Sequence, residues 1–307
     1  MTDGFLRARE APDGPPRDYP PLPESLVVPV YDNHTHLEVA DSGEPLDYRE
    51  HLDRASAVGV KGVVQVGTDL ATSRWSADIA SVEPRVLAAV AIHPNETPEL
   101  FAQGLLDDHL AGIDELASRP RVRAIGETGL DFFRTEDAAG IDAQYRSFEA
   151  HIEIAKAHDL ALQIHDRDAH REVVETLDRV GAPERVVFHC FSGDAALAQL
   201  VAERGWYLSF AGTVTFKNAP ALREALEIIP RSRILVETDA PYLTPVPFRG
   251  RPNAPYLLPH TLRAMAAHLG TEASMLAAQI VSTTELVYGH WDDEPVDAPR
   301  GPFEGRA

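Results

Sequence analysis

Between residues 27 and 287 the chain alternates eight times between a short β-type apolar run and a longer stretch of helical periodicity. Strands are expected over 27–32, 62–66, 86–92, 122–125, 161–164, 185–188, 206–210 and 234–236. Helices are expected over 45–58, 70–82, 97–118, 141–158, 169–180, 195–203, 219–227 and 256–269, with a ninth over 272–287. Eight βα rounds with no Gly-x-Gly-x-x-Gly fingerprint point to an α/β fold closed as a (β/α)8 barrel rather than a doubly wound nucleotide-binding sheet. In such a barrel every strand ends at one mouth, so residues far apart in sequence become neighbours there.

The remaining chain sets the domain limits. Residues 1–25 are Pro-rich and charged and are expected to be a disordered or surface-draped extension. Residues 26–290 form the barrel, and 291–307 read as a flexible polar tail. No apolar run is long enough to cross a bilayer. The one cysteine, Cys190, fits a reducing compartment, and residues 1–24 lack the apolar core of a secretory signal, so a cytoplasmic protein is expected. A net charge of −20 counts against anionic membranes and against extensive duplex contact, which needs a basic face to displace condensed counterions. It leaves room for a few phosphates held by cations and local arginines.

The strand ends carry the chemistry. His34 and His36 are two apart, and residues i and i+2 of a strand share a face, so both imidazoles can meet one ion with Asp32 on the same side. Four more ligand types follow other β-type runs: Glu127, His165, His189 and Asp239. Each alone has an ordinary reading: a core histidine bonded to a carbonyl, a carboxylate capping a helix, an Asp before a Pro-containing turn. Together they are nitrogen and oxygen donors without a thiolate, which matches a catalytic divalent-metal site and not a structural zinc knot. Glu127 sits between Gly126 and Gly129, where a helix is disfavoured, and its two oxygens suit a bridge between two cations. Asp239 can hold a metal and take a proton from water.

Other residues near the expected mouth are weaker candidates. His93, before Pro94, is a candidate substrate contact. Among Arg134, Arg167, Lys217, Arg249 and Arg251, usually solvated surface charge, Arg167 and Arg249 are favoured for phosphate because a guanidinium fork donates two hydrogen bonds. Arg251 is placed beside Arg249 as a second anion clamp. Asp131 is a candidate partner that orients a ligand. Phe191-Ser192-Gly193 offers backbone amides or a hydroxyl to a phosphate, or is a simple turn. His51 and His151 fall in helices as solvated or partly buried residues. No Gly-x-Ser-x-Gly elbow is present, and Cys190 reads as buried packing.

With these stretches in view, the chain resembles the TatD family of metal-dependent deoxyribonucleases, within the amidohydrolase-like barrels. The resemblance runs from about Tyr31 to Gly289. It rests on DNHTHL (32–37), AIGETGLDFF (124–133), the segment 148–169 ending in QIHDRDA, FHCFSG (188–193), TVTFKNA (213–219), ILVETDAPYLTP (234–245) and RGRPNAP (249–255). It implies a TIM-like barrel and a metal centre whose ligands map onto His34, His36, Glu127, His165, His189 and Asp239, with Glu127 as the bridge. The chain departs from the family pattern twice. Ala254 stands where the mouth loop usually has an acid, and Thr283 where a C-terminal Asn is common.

The expectation is a hydrolase of phosphodiester bonds in DNA, a 3′-end exonuclease on single-stranded ends or short oligonucleotides. Its cofactors would be two divalent cations: Mg²⁺ or Mn²⁺ suits DNA hydrolysis, and Zn²⁺ suits the imidazoles. His34, His36 and Asp239 would hold one cation and His165 and His189 the other, activating a hydroxide; Asp239 and Glu127 would be the catalytic carboxylates. No membrane and no obligate protein partner is implied. The first rival is hydrolysis of a small amide, ester or lactone by the same cluster, and the second is a metal-binding protein without turnover.

Overall fold

A computed structural model describes residues 6–8, 18–41 and 46–297. Eight parallel strands form one sheet: β1 (Val30–Thr35), β2 (Val60–Val66), β3 (Val86–Val90), β4 (Val122–Asp131), β5 (Ala161–Arg167), β6 (Val186–Phe188), β7 (Tyr207–Phe210) and β8 (Ile234–Val236). Each pairs with its neighbours in chain order, from β1 to β8. The ends of the sheet then meet. Thr35 bridges Ala240 in parallel, the His36 amide donates to the Ala240 carbonyl at 2.8 Å, and the Asp239 amide donates to the His34 carbonyl at 3.0 Å. The seam of this nearly closed barrel therefore runs through three of the expected ligand positions.

Alternation along the strands separates two apolar layers. One side-chain set, including Val63, Val86, Val90, Ile125, Leu162 and Phe188, packs with the surrounding helices. The other, including Tyr31, Val64, Leu87, Ala124, Val187 and Leu235, forms a second cluster. Small residues such as Ala89 and Ala161 leave room within that cluster.

The helices are α1 (Tyr48–Ala57), α2 (Leu70–Val82), α3 (Thr97–Ala102), α4 (Leu106–Ala117), α5 (Ala138–Ala157), α6 (His170–Val180), α7 (Ala195–Glu203), α8 (Pro220–Ile228), α9 (Leu258–His268) and α10 (Ala273–Tyr288). Asp47, Asp69, Asp137 and Asp194 each cap a helix by accepting a backbone amide, as short carboxylates do at N-termini. The single helix expected over 97–118 is two, broken near Gly104, whose φ of +71° ends the first turn sequence without the strain a side chain would add. Among the described residues no helix is long and apolar enough to cross a membrane.

Both terminal segments are docked on the barrel where they are described. Residues 18–25 are held against the barrel: Arg251 donates to the Asp18 and Tyr19 carbonyls, Tyr256 to the Pro20 carbonyl, and Arg263 to the Glu24 and Ser25 carbonyls. Arg7–Ala8 pairs in parallel with Val39–Ala40. A proline-rich stretch has few amide donors of its own, but its carbonyls accept from a barrel that supplies arginines. Residues 1–5 and 9–17 lie outside the described residues. At the other end, Trp291 is buried, stacks on Tyr31 at a centroid distance of 3.9 Å, and donates to the Arg85 carbonyl; Arg121 holds the Trp291 and Glu294 carbonyls. An indole of that area outweighs the polar composition around it. Residues 298–307 lie outside the described residues.

Candidate metal centre

Two strands run further than their apolar runs suggested. β4 continues to Asp131 and β5 to Arg167, so Glu127 and His165 lie within strands rather than after them. The ladder continues because two glycines let β4 approach β5. A Cβ on Gly126 would lie 2.4 Å from the Gln163 Cβ, and one on Gly129, at φ +140°, would lie 2.1 Å from the His165 carbonyl oxygen. The register shifts between Ile125 and Thr128, a bulge that re-aims Glu127.

The six expected ligands converge. His34 Nε2 and His36 Nε2 are 3.2 Å apart, and Asp239 Oδ1 lies 3.8 and 3.7 Å from them. Glu127 Oε1 faces this first group, 3.7 Å from His34 Nε2 and 3.4 Å from His36 Nε2. Its other oxygen, Oε2, faces a second group, 2.8 Å from His189 Nε2 and 3.1 Å from His165 Nδ1. The rings of His34 and His189 stack at 4.0 Å, joining the two groups. Asp239 holds φ at +53°, a left-handed conformation that costs about 1–3 kcal/mol in a non-glycine residue and is held here by the His34 carbonyl.

Each ring is aimed by a bond from its other nitrogen. His34 Nδ1 meets Gln163 Oε1 at 3.2 Å, and His36 Nδ1 meets the Val66 carbonyl at 3.0 Å. His189 Nδ1 meets Glu237 Oε1 at 3.3 Å, and His165 Nε2 meets Asp131 Oδ2 at 3.1 Å. These partners are acceptors, so each outer nitrogen carries the hydrogen and each inner nitrogen turns a lone pair to the centre. Two imidazole lone pairs 3.2 Å apart and two carboxylates require a positive charge among them. The donor set therefore fits divalent cations: His34, His36 and Asp239 form one group of donors within 4.8 Å of one another, His34, Glu127 and His189 a second, and His93, Glu127 and His165 a third.

The electrostatics divide the rings. Burial, aided by the neighbouring His189 charge, pushes His34 down to about 4, so it is neutral and ready to ligate. Burial also opposes a charge on His36, but hydrogen bonds to Asp239 and Glu127 outweigh it and hold its pKa well above the ordinary value. His189 is raised in the same way by Glu127 and Glu237, against burial. Burial alone would raise Glu127, yet the surrounding histidines hold it well below the usual carboxylate range. A proton and a cation thus compete for the same nitrogens.

Other expected residues divide. His93 lies beside the second group, with Nε2 3.5 Å from Glu127 Oε2 and 3.2 Å from His165 Nδ1. Its Nδ1 accepts the Asn95 amide at 3.0 Å, and burial lowers its pKa, so Nε2 carries the hydrogen and His93 presents a donor rather than a lone pair. Arg167 is exposed just beyond His165, with its guanidinium 3.8 Å over the exposed Phe133 ring. Arg249 lies 4.3 Å over the Phe216 ring. Arg251 is spent on the Asp18 and Tyr19 carbonyls and is no anion clamp. Ser192 Oγ donates to the Asp166 carbonyl at 3.0 Å, tying the segment after His189 to β5. Cys190 is only partly buried, and its amide donates to Glu237.

Asp32 does not face the ligands. It accepts the Thr238 amide at 2.9 Å and the Thr238 hydroxyl at 2.5 Å, because the register of β1 shifts after Asp32 and breaks the simple alternation. Buried there, it is raised to about 8, burial outweighing its hydrogen bonds. Ala254 is fully buried among apolar side chains, so position 254 faces the core and the missing acid does not strip the mouth of a carboxylate. Several supporting residues gave no sequence signal: Gln163, Glu237, Asn253, which donates to the Thr238 and Tyr242 carbonyls, and His151. His151 is wholly buried; its Nε2 accepts the Ile92 amide, and its Nδ1 meets the Thr128 hydroxyl at 2.8 Å, tying the segments that carry His93 and Glu127.

Residues 31–289 match the family described as TatD related DNase. The chain belongs to the TatD family. A Mycobacterium tuberculosis relative, described as an uncharacterized metal-dependent hydrolase TatD, is 42% identical over 263 residues, covering 85% of this chain and 98% of the relative. A Citrobacter rodentium relative described as a 3'-5' ssDNA/RNA exonuclease TatD is 36% identical over 249 residues, covering 79% and 92%. The crystal structure of a TatD homologue from Escherichia coli superposes with a TM-score of 0.75 at 24% identity, covering 85% of this chain and 98% of that one, and so shares the fold. This TatD protein is a metal-dependent hydrolase built on a TIM-like barrel.

Proposed function

We propose that the protein hydrolyses phosphodiester bonds of DNA, acting from 3′ ends of single strands, with two divalent cations at the barrel mouth. The observation that carries this reading is the division of Glu127, one oxygen toward each group of nitrogen donors. A relative described as a 3'-5' ssDNA/RNA exonuclease supports the substrate class and the polarity.

The cations supply two things when bound: they acidify water, and they neutralise phosphate charge. The chain's residues do the rest. Glu127 holds the two donor groups in register. Asp239, at the edge of the first group, takes the proton as water attacks phosphorus; the P–O ester bond breaks and the proton passes to the leaving oxygen. His93 Nε2–H, aimed into the second group, donates to a phosphate oxygen. Arg167 and Arg249 meet flanking phosphates, and the exposed Phe133 ring beneath Arg167 offers a face on which a terminal base stacks. A strand end needs only these few contacts, which suits a chain of net charge −20.

The test uses oligonucleotides labelled at either end, single-stranded and blunt duplex, with Mg²⁺, Mn²⁺ or Zn²⁺ at several salt concentrations. Stepwise loss from the 3′ end of single strands is the expected result. Faster internal cleavage of duplex overturns the end preference. Turnover of N-acyl amino acids or lactones with no turnover of DNA overturns the phosphodiester assignment.

A further inference from the structure

Among the described residues, Gln163 is the one neutral side chain bonded to the outer nitrogen of a histidine in the two donor groups. It lies on β5 two residues before His165, and it is wholly buried. Its polar atoms are all engaged: Oε1 with His34 Nδ1 at 3.2 Å, and Nε2 donating to the Asn33 carbonyl at 2.9 Å and to the Tyr288 hydroxyl at 2.8 Å. The Asn33 carbonyl can only accept, so the amide cannot flip; nitrogen must face Asn33, and oxygen must face His34. The choice of His34 tautomer therefore follows from a bond made elsewhere. Gly126 leaves the space that Gln163 fills, since a Cβ there would clash with it.

Tyr288 closes the chain of contacts. It is the last residue of α10, is buried, and reaches Gln163 across 125 residues of sequence. Behind it Trp291 stacks on Tyr31, so the end of α10 is seated on β1, the strand that also carries His34. We propose that Gln163 and Tyr288 act as a positioning pair that couples the seating of the C-terminal helix to the cation held by His34 and His36. Neither touches the reacting atoms. The inference rests on the two-cation reading above and names which of the two ions responds.

Full-length protein is stripped with chelator and titrated with Mn²⁺ by calorimetry, with circular dichroism as the check of folding. Wild type takes up two ions. Gln163→Met weakens one ion by about 10- to 100-fold, the usual consequence of losing a ligand's partner, and leaves the other unchanged. Tyr288→Phe, which keeps the ring in place, weakens the same ion by a smaller factor and carries the test if Gln163→Met does not fold. Tyr288→Phe adds nothing further in the Gln163→Met background, as expected of residues acting in series. Two ions of unchanged affinity in either folded variant, equal weakening of both ions, or additive effects in the double variant overturn the coupling while leaving the two-cation reading intact. Fewer than two ions on wild type overturns that reading and this inference with it.

Discussion

The two donor groups of the centre use the same chemistry and are supported differently. His34 and His36 stand at the barrel seam, and their outer nitrogens bond to an amide oxygen and a backbone carbonyl, both neutral. His165 stands on β5 and His189 just after β6, away from the seam, and theirs bond to the carboxylates of Asp131 and Glu237. A carboxylate partner raises the basicity of an imidazole ligand more than a neutral acceptor does. The first group makes up the difference with Asp239, a carboxylate that faces the centre directly. Negative charge is thus placed inside one group and behind the other.

The largest effect is expected where the comparison vanishes. Glu127→Ala removes the carboxylate that the two groups share, so DNA turnover should fall to background and Mn²⁺ uptake should drop by at least one ion per chain; retained turnover would show that the groups work independently. Next, Asp131→Asn strips charge from behind the second group only. It should weaken one ion by about 10- to 100-fold in a calorimetric titration and spare the ion on the His34 side. The hydrogen bond to His165 that holds the Asp131 pKa down to about 2, against the pull of burial, keeps this carboxylate charged at any working pH.

Gly126→Ala probes the close approach of β4 to β5. The added Cβ meets Gln163, so denaturant unfolding should show a loss of about 1–3 kcal/mol from overpacking. A shift in ion affinity on the first group alone would tie that strain to Gln163.

A smaller effect distinguishes the centre from the core around it. Burial holds His51 at about 4 and His151 at about 3, so both are neutral when folded and take a proton when unfolded below the ordinary histidine value. The unfolded chain then binds more protons than the folded one, and stability falls as pH drops from about 6.5 toward 4. In chelator-treated protein His51→Phe should flatten the pH dependence of the unfolding free energy by about one proton over that window. An unchanged slope would assign the acid sensitivity to the centre. The smallest effect is expected at the rim, where Arg167→Ala should raise KM for oligonucleotides a few-fold and lower its salt dependence while leaving kcat nearly unchanged.

The converging donors were legible in the sequence, but not the residues that aim them. His34, His36, Glu127, His165, His189 and Asp239 were legible because metal chemistry restricts donor types and because strand ends converge when a sheet closes. Their partners were not. Gln163 and Glu237 look like ordinary strand residues until register brings them beside a ring from another strand. Asp32 was misread because a register shift breaks strict alternation, and Arg251 because its partner is the carbonyl of a segment 232 residues earlier. His151 and His51 fit a helical pattern, but periodicity does not say whether another element covers them.

By itself the sequence determined the alternation of strand and helix, the polar signature at each strand end and the absence of thiolate ligands, since periodicity and donor chemistry are local properties of the chain. Only the tertiary structure decided the register of β4 on β5, the seam where β1 meets β8, the docking of both terminal segments and the nitrogen that each histidine turns inward. Those depend on which atoms of distant segments lie within hydrogen-bond reach, and a bulge of a single residue changes that.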